Sequence, residues 1–204
     1  TEEGGWQPVS PSATLLSDQK TYSKELTKAD IEQIVEDFKQ AAKRAIKAGF
    51  KVIEIHAAHG YLLNEFLSPV ANKRTDEFGG SFENRSRALM LVIGAVKEVV
   101  PAETPLFVRI SATDWRADGW KIEDSVQLSA ILKEKGFDLI DCSTGGFVAP
   151  KEIPIAPNYQ VPFAEEIKAK VGIKTGAVGL ITLAEQANEI ISSGKADLVF
   201  LARE

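Results

Sequence analysis

Apolar residues recur along this chain in two alternating rhythms. Ile31, Ile34, Val35, Phe38, Ala42 and Ala45 fall at helical spacing. Thr27 or Asp30 can cap that helix, and Gly49 closes it just past Ala48. The run FKVIEIHAA that follows is dense in apolar and β-branched residues, the pattern of a strand covered on both faces. The unit then repeats. Ser81 caps a helix reaching to about Val99, and Pro101 punctuates before the strand PLFVRISA. A helix around Ile122–Lys135 stops at Gly136 before DLIDCST. Beyond a proline-rich loop, APKEIPIAPNYQVP, a helix near Phe163–Lys170 leads to IKTGAVG. A helix near Leu183–Ser193, stopped by Gly194, leads to ADLVFLA. Residues 1–27, with Gly4–Gly5, Pro8 and Pro11 among Ser and Thr, read as an irregular segment. Residues 28–204 read as helix–strand repeats, and the whole chain as one domain.

Strands that alternate with helices run parallel, because each helix returns the chain to the starting edge. An open doubly wound sheet and a closed (β/α)8 barrel both fit that rule. The doubly wound form needs a glycine-rich turn straight after its first strand. Here a long loop bearing His, Tyr and Arg follows instead, and Gly79–Gly80 comes too late for that role. His56, Arg109, Thr144, Gly179 and Arg203 fall at strand C-terminal ends, where barrel enzymes carry their chemistry. The expected fold is therefore α/β, a partial TIM (β/α)8 barrel comprising strands four to eight. A barrel needs eight strands and about 250 residues. Five strands, the last ending almost at Glu204, lead us to expect a fragment of a larger domain, incomplete at both ends.

Composition narrows the function classes. Of 204 residues, 44% are hydrophobic and 26% charged, as in a soluble globular domain. The net charge of −5 argues against nucleic acid or an anionic membrane surface as partner. The single cysteine, Cys142, excludes an internal disulfide framework and suits a reducing cytoplasm, the expected location. No apolar run approaches the roughly 18 residues of a membrane span.

Both histidines of the chain, His56 and His59, lie within four residues, with Tyr61 just behind. One reading is a buried histidine and a surface one, placed independently. A shared metal is a second, but no further His or second Cys is present to complete a nitrogen- or sulfur-rich zinc site. The reading we favour is a pair of N–H donors aimed at one carbonyl or nitro oxygen, stabilising charge that develops there. Tyr61 then stands as an acid, since a phenol is protonated at neutral pH. Arg109, alone among apolar neighbours in PLFVRISATDW, either pairs with Asp141 or Asp114 or donates to an anionic or electron-rich ligand group. Gly179 and Arg203 suit a phosphate, the glycine by admitting backbone N–H groups and the arginine by its fork. They also read as a turn glycine and a surface arginine. The segment NKRTDEFGGSFENRSR reads as an internally hydrogen-bonded loop with no direct chemistry.

Taken together, EIHAAHGYLLNEFLSPVANKRTDEFGGSFENRSR, PLFVRISATDW, DLIDCSTGG, TGAVGLIT and ADLVFLARE closely resemble the Old Yellow Enzyme family of flavin-dependent ene-reductases, in its NADPH dehydrogenase branch. The resemblance runs from the opening GGW to the end of the chain. It implies a (β/α)8 barrel that holds FMN non-covalently. NADPH or NADH would be the hydride donor, and α,β-unsaturated carbonyl or nitro compounds the substrates. By the same resemblance His56 and His59 match the pair on the activating oxygen, and Tyr61 the proton donor. Arg109 matches the arginine at the flavin pyrimidine, and Gly179, Ala202 and Arg203 match the FMN phosphate site. The family usually has Gly-Arg where this chain has Ala202–Arg203, which keeps the backbone N–H and adds a methyl. The family's early strands and the helices after its eighth strand have no match here. Two other classes stay open: a phosphate-binding barrel lyase or isomerase, and a truncated, non-catalytic fragment. The lyase typically needs a lysine or carboxylate base at a strand end. Lys174 lies instead at the start of its strand. Homo-oligomerisation is the one protein partnership left open.

Overall fold

Thr27 starts the first helix by a reciprocal pair of bonds. Its Oγ1 accepts from the Asp30 backbone N at 3.2 Å, while the Asp30 carboxylate accepts from the Thr27 backbone N at 2.9 Å. Both candidate caps are thus used, Thr27 as the cap and Asp30 at the third helical position, in a capping box. The computed structural model describes residues 6–14 and 22–201. In chain order the elements are β1 (Val9–Ser10), β2 (Lys24–Glu25), α1 (Lys28–Lys47), β3 (Ile53–Ala57), α2 (Leu62–Leu67), α3 (Phe82–Lys97) and β4 (Leu106–Ser111). They continue with α4 (Ile122–Glu134), β5 (Leu139–Ser143), α5 (Val161–Val171), β6 (Lys174–Ala177), α6 (Ala184–Ser192) and β7 (Leu198–Val199). The chain divides into two compact units, Thr1–Phe50 with Leu62–Pro101, and Lys51–Tyr61 with Ala102–Glu204.

In the first unit α1 and α2 both pack against α3. Leu26, Ile31, Phe66, Phe78 and Ala88 form a buried cluster, flanked by Ile34 and Leu62. The charged loop after α2 is internally bonded, as its turn-rich sequence implied. The buried Asn72 side chain donates to the Phe66 and Phe78 carbonyls, each at 2.7 Å. Arg74 Nη1 donates to the Pro11 and Leu26 carbonyls at 2.8 and 2.7 Å. Each bond satisfies a backbone acceptor that a loop would otherwise leave to water. Two features were not anticipated: helix α2 within the long loop expected after the first strand, and the parallel pairing of β1 with β2 within the irregular opening segment.

The second unit holds a parallel sheet in the order β3-β4-β5-β6-β7. A doubly wound sheet reverses its strand order at a switch point. Here every strand lies beside its predecessor in sequence, the winding of a barrel, so the sheet is a partial barrel. Side chains alternate across it. Ile55, Ala57, Val108, Ile110, Ile140, Cys142 and Ala177 share one phase and are buried, with α5 packed on β5 and β6. The opposite phase carries Glu54, His56, Arg109, Ser111, Asp141 and Ser143. Register places His56, Arg109, Asp141 and Gly176 in one row across four strands. Strand β7 is shorter than its apolar run suggested, pairing with β6 only at Leu198 and Val199. Among the described residues no helix is long and apolar enough to cross a membrane.

Candidate active site

Past β3 the chain turns sharply. His59 adopts a left-handed backbone (φ 62°), and the Tyr61 N donates to the Ala58 carbonyl at 3.2 Å. A histidine held at positive φ needs surroundings that impose it. They come from the next strands: the His59 N donates to Ser111 Oγ at 2.9 Å, and Ser111 Oγ donates to the Gly145 carbonyl at 2.7 Å. The loops after β3 and β5 then touch backbone to backbone. A Cβ on Gly60 would lie 2.7 Å from the Gly146 carbonyl oxygen, and one on Gly146 only 2.2 Å from the Gly60 N.

This turn gathers the three predicted rings. His56 and His59 have ring centroids 5.2 Å apart at 68°, and His56 and Tyr61 5.4 Å apart at 60°. Tyr61 is 64% exposed. His59 Nε2 lies 2.7 Å from Ser143 Oγ. Burial, then the Arg109 charge, then His56 push the His59 imidazole down to about 4. Burial and Arg109 lower His56 as well. At neutral pH both rings are therefore uncharged, each with one N–H and one lone pair.

Arg109 sits in the row beside His56. Of the two carboxylates considered for it, Asp141 is the partner, with Nε 3.1 Å from Asp141 Oδ2. Asp114 is engaged elsewhere, accepting from the Trp120 N at 2.7 Å. Asp141 is 1% exposed. Burial raises its carboxyl to about 7, outweighing the attraction of Arg109, with Glu54 adding to the rise. Despite the short distance, Arg109 Nε is buried without a hydrogen-bond acceptor.

Gly179 follows the C-terminal end of β6, on the same rim of the sheet as the histidines because the strands are parallel. It has φ 117°, and its carbonyl accepts from the Asn158 N at 2.9 Å. An added Cβ would come within 3.0 Å of Gln160 Nε2. Ala202 and Arg203, the other two residues assigned to a phosphate, lie outside the described residues. Sequence reasoning missed Ser111, Ser143 and Gln160. Ser143 shares the sheet phase of Arg109 and Asp141, so strand alternation alone would have flagged it. No group of three or more His, Cys, Asp or Glu residues suited to a metal occurs among the described residues.

Successively wound parallel strands with polar side chains gathered at their C-terminal rim define a barrel-type α/β site. The comparisons then specify it. The chain belongs to the NADH:flavin oxidoreductase / NADH oxidase family, which it matches over residues 2–204. It is 56% identical over 196 residues to an NADPH dehydrogenase of Geobacillus thermodenitrificans, covering 96% of this chain and 57% of that protein. Its fold is similar to that of morphinone reductase solved with tetrahydroNAD (TM-score 0.74, 28% identity, 95% of this chain and 55% of that one). It is likewise similar to the old yellow enzyme homologue from Zymomonas mobilis (TM-score 0.77, 26% identity, 96% and 57%). The chain thus spans a little over half the length of these relatives. FMN and NADPH or NADH are the cofactors that this family implies. The described residues fit an FMN: Arg109 presents a buried Nε–H without an acceptor, and Gly179 holds a left-handed backbone (φ 117°) that favours glycine.

Proposed function

We propose that this chain is part of an FMN-dependent NAD(P)H oxidoreductase that reduces the activated C=C bond of α,β-unsaturated carbonyl or nitro compounds. The observation that carries the reading is the convergence of His56, His59 and Tyr61, with both imidazoles neutral, on the rim that also holds Arg109. When bound, FMN supplies hydride transfer from the nicotinamide to the β-carbon of the alkene. Arg109 would hold the electron-rich pyrimidine edge, and Gly179 with Ala202 and Arg203 the phosphate. His56 and His59 donate to the substrate oxygen. Neutral donors fixed at that point stabilise negative charge developing there without reorganising. Tyr61 delivers the proton to the α-carbon, and its exposure lets water reprotonate it. Lys174, the lysine considered for the lyase reading, opens β6 at the rim opposite the histidines. We take 1–204 as part of one flavin-barrel domain working in the cytoplasm, with homo-oligomers as its protein partnership.

The test uses protein expressed from the full reading frame. It should purify yellow, bleach anaerobically with NADPH, and regain colour on addition of cyclohex-2-enone or a nitroalkene. Removing one such oxygen donor costs roughly 10²–10³ in rate. His56→Ala should therefore slow reoxidation by the alkene on the order of 10²-fold while reduction by NADPH is unchanged. Equal loss in both half-reactions would show that His56 holds the cofactor or the fold and not the substrate.

A further inference from the structure

Asp141 has no part in the reaction proposed above, yet it is ion-paired with the arginine assigned to the flavin. We propose that Asp141 is a positioning residue for the charge around the cofactor: acting through Arg109, it takes up one proton from solvent whenever the bound flavin is reduced. This rests on the flavin contact given to Arg109 above.

Arg109 and Asp141 are register partners on β4 and β5, with Nε and Oδ2 3.1 Å apart. The arginine side chain is 29% exposed and open to a ligand, while that of Asp141 is 1% exposed, so a ligand's charge reaches the acid across the guanidinium. Asp141 Oδ1 is buried with no hydrogen-bond partner. An ionised carboxylate so placed leans on Arg109, because the other groups facing it give it no support. Glu54 on β3 repels it, and Cys142, next to it on β5, is kept a thiol by burial. The row position on β6 is Gly176, against which the Phe200 ring packs. His56, on the far side of Arg109 in the same row, is neutral. Burial therefore holds the Asp141 carboxyl at about 7, where a modest change in nearby charge shifts its protonation.

Reduction supplies that change. The nicotinamide loses a hydride and is oxidised; the ring accepts the hydride and with it a negative charge, which Arg109 would hold. The guanidinium then faces two anions where it had faced one. Solvent supplies the proton that closes on an Asp141 oxygen and removes the second. Linkage makes the effect reciprocal: if reduction favours the protonated acid, the ionised acid disfavours reduction.

The experiment is redox titration of the full-length, flavin-loaded protein between pH 6 and pH 9. For a two-electron couple each proton taken up lowers the midpoint potential by about 30 mV per pH unit, the tenfold change in proton concentration converted. Wild type should fall by about 30 mV per unit below pH 7 and about 60 mV per unit above it. Asp141→Asn should keep the shallower slope throughout, its potential meeting that of wild type at pH 6 and lying above it at pH 8.5. Glu54→Gln should keep the break. Infrared difference spectra of wild type, reduced minus oxidised at pH 8, should gain a protonated carboxyl band that shifts when the protein is labelled with 13C-aspartate. A single slope in wild type, a break that survives Asp141→Asn, or a carboxyl band that ignores the aspartate label overturns the proposal. Should Asp141→Asn not fold, the wild-type slopes and the labelled band still decide it. A yellow protein with this break but no alkene reduction would overturn the proposed reaction and leave this inference standing; one that reduces alkenes with a single slope would overturn the inference alone.

Discussion

Replacing His59 with Asn removes an imidazole without adding backbone strain, because Asn is among the residues that best tolerate the left-handed conformation found there. The consequence is a change in how stability depends on pH. His59 is lowered from 6.5 to about 4 in the folded protein. A base depressed on folding stabilises the native state above its unfolded value, and that contribution is lost as pH falls from 6.5 through 4. At about 1.4 kcal/mol per unit, the full loss would be about 3 kcal/mol and the loss by pH 5 about 2 kcal/mol. Partial solvent access at the ring reduces the latter to about 1 kcal/mol. Urea denaturation of full-length wild type and His59→Asn at pH 7.5 and pH 5.0 reads this as a double difference, in which the other titrating groups largely cancel. Wild type should lose about 1 kcal/mol more than the variant on acidification. A zero double difference, or an NMR titration placing His59 near 6.5 in the folded protein, would refute the claim that folding holds this ring in its uncharged form.

Arg109→Ala should leave the buried Asp141 without its cation, a loss of about 3–5 kcal/mol when the carboxylate is charged. Because burial already holds that carboxyl near 7, the variant should approach wild-type stability at pH 5 and lose it as pH rises toward 8, checked by thermal denaturation at the two pH values. Gly146→Ala forces a methyl to within 2.2 Å of the Gly60 N at φ 126°; a loss of about 3 kcal/mol or more is expected, read from the urea midpoint together with weakened binding of a small phenol. Thr27→Ala removes the cap of α1 and should cost about 1 kcal/mol with turnover unchanged, which a denaturation curve and a steady-state assay together measure.

Much of this arrangement was legible before any coordinates, for reasons specific to each element. Thr27, Ser81, Gly136 and Gly194 are punctuation that acts through local backbone chemistry, so helices α1, α3, α4 and α6 fall close to where the pattern put them. His56, His59 and Tyr61 lie ring against ring because they are close in sequence on one strand end and its turn, while their roles toward a substrate belong to the proposal. What escaped depended on distant partners. Helix α2 is only six residues long and hides within a segment whose glycines and charges read as loop. Strand β7 has just two paired residues, although the expected strand ADLVFLA spans seven. Pairing, not hydrophobicity, sets a strand's length in a ladder. Arg109 offered an ion pair or a ligand contact; the ion pair with Asp141 is present, while its contact with a flavin belongs to the proposal. Ser143 and Gln160 carried no motif at all, since their meaning arises only when β5 and the start of α5 meet His59.

The backbone crossing of Gly60 with Gly146 bears on how this site can diversify. Neither position accepts a side chain unless the other loop retreats, so a new specificity cannot be reached by stepwise change at the crossing itself. Substitution meets less resistance at Tyr61, which flanks the crossing and is exposed. The two loops therefore behave as one heritable part. Swapping either between relatives without its mate would break the pivot on which His59 turns.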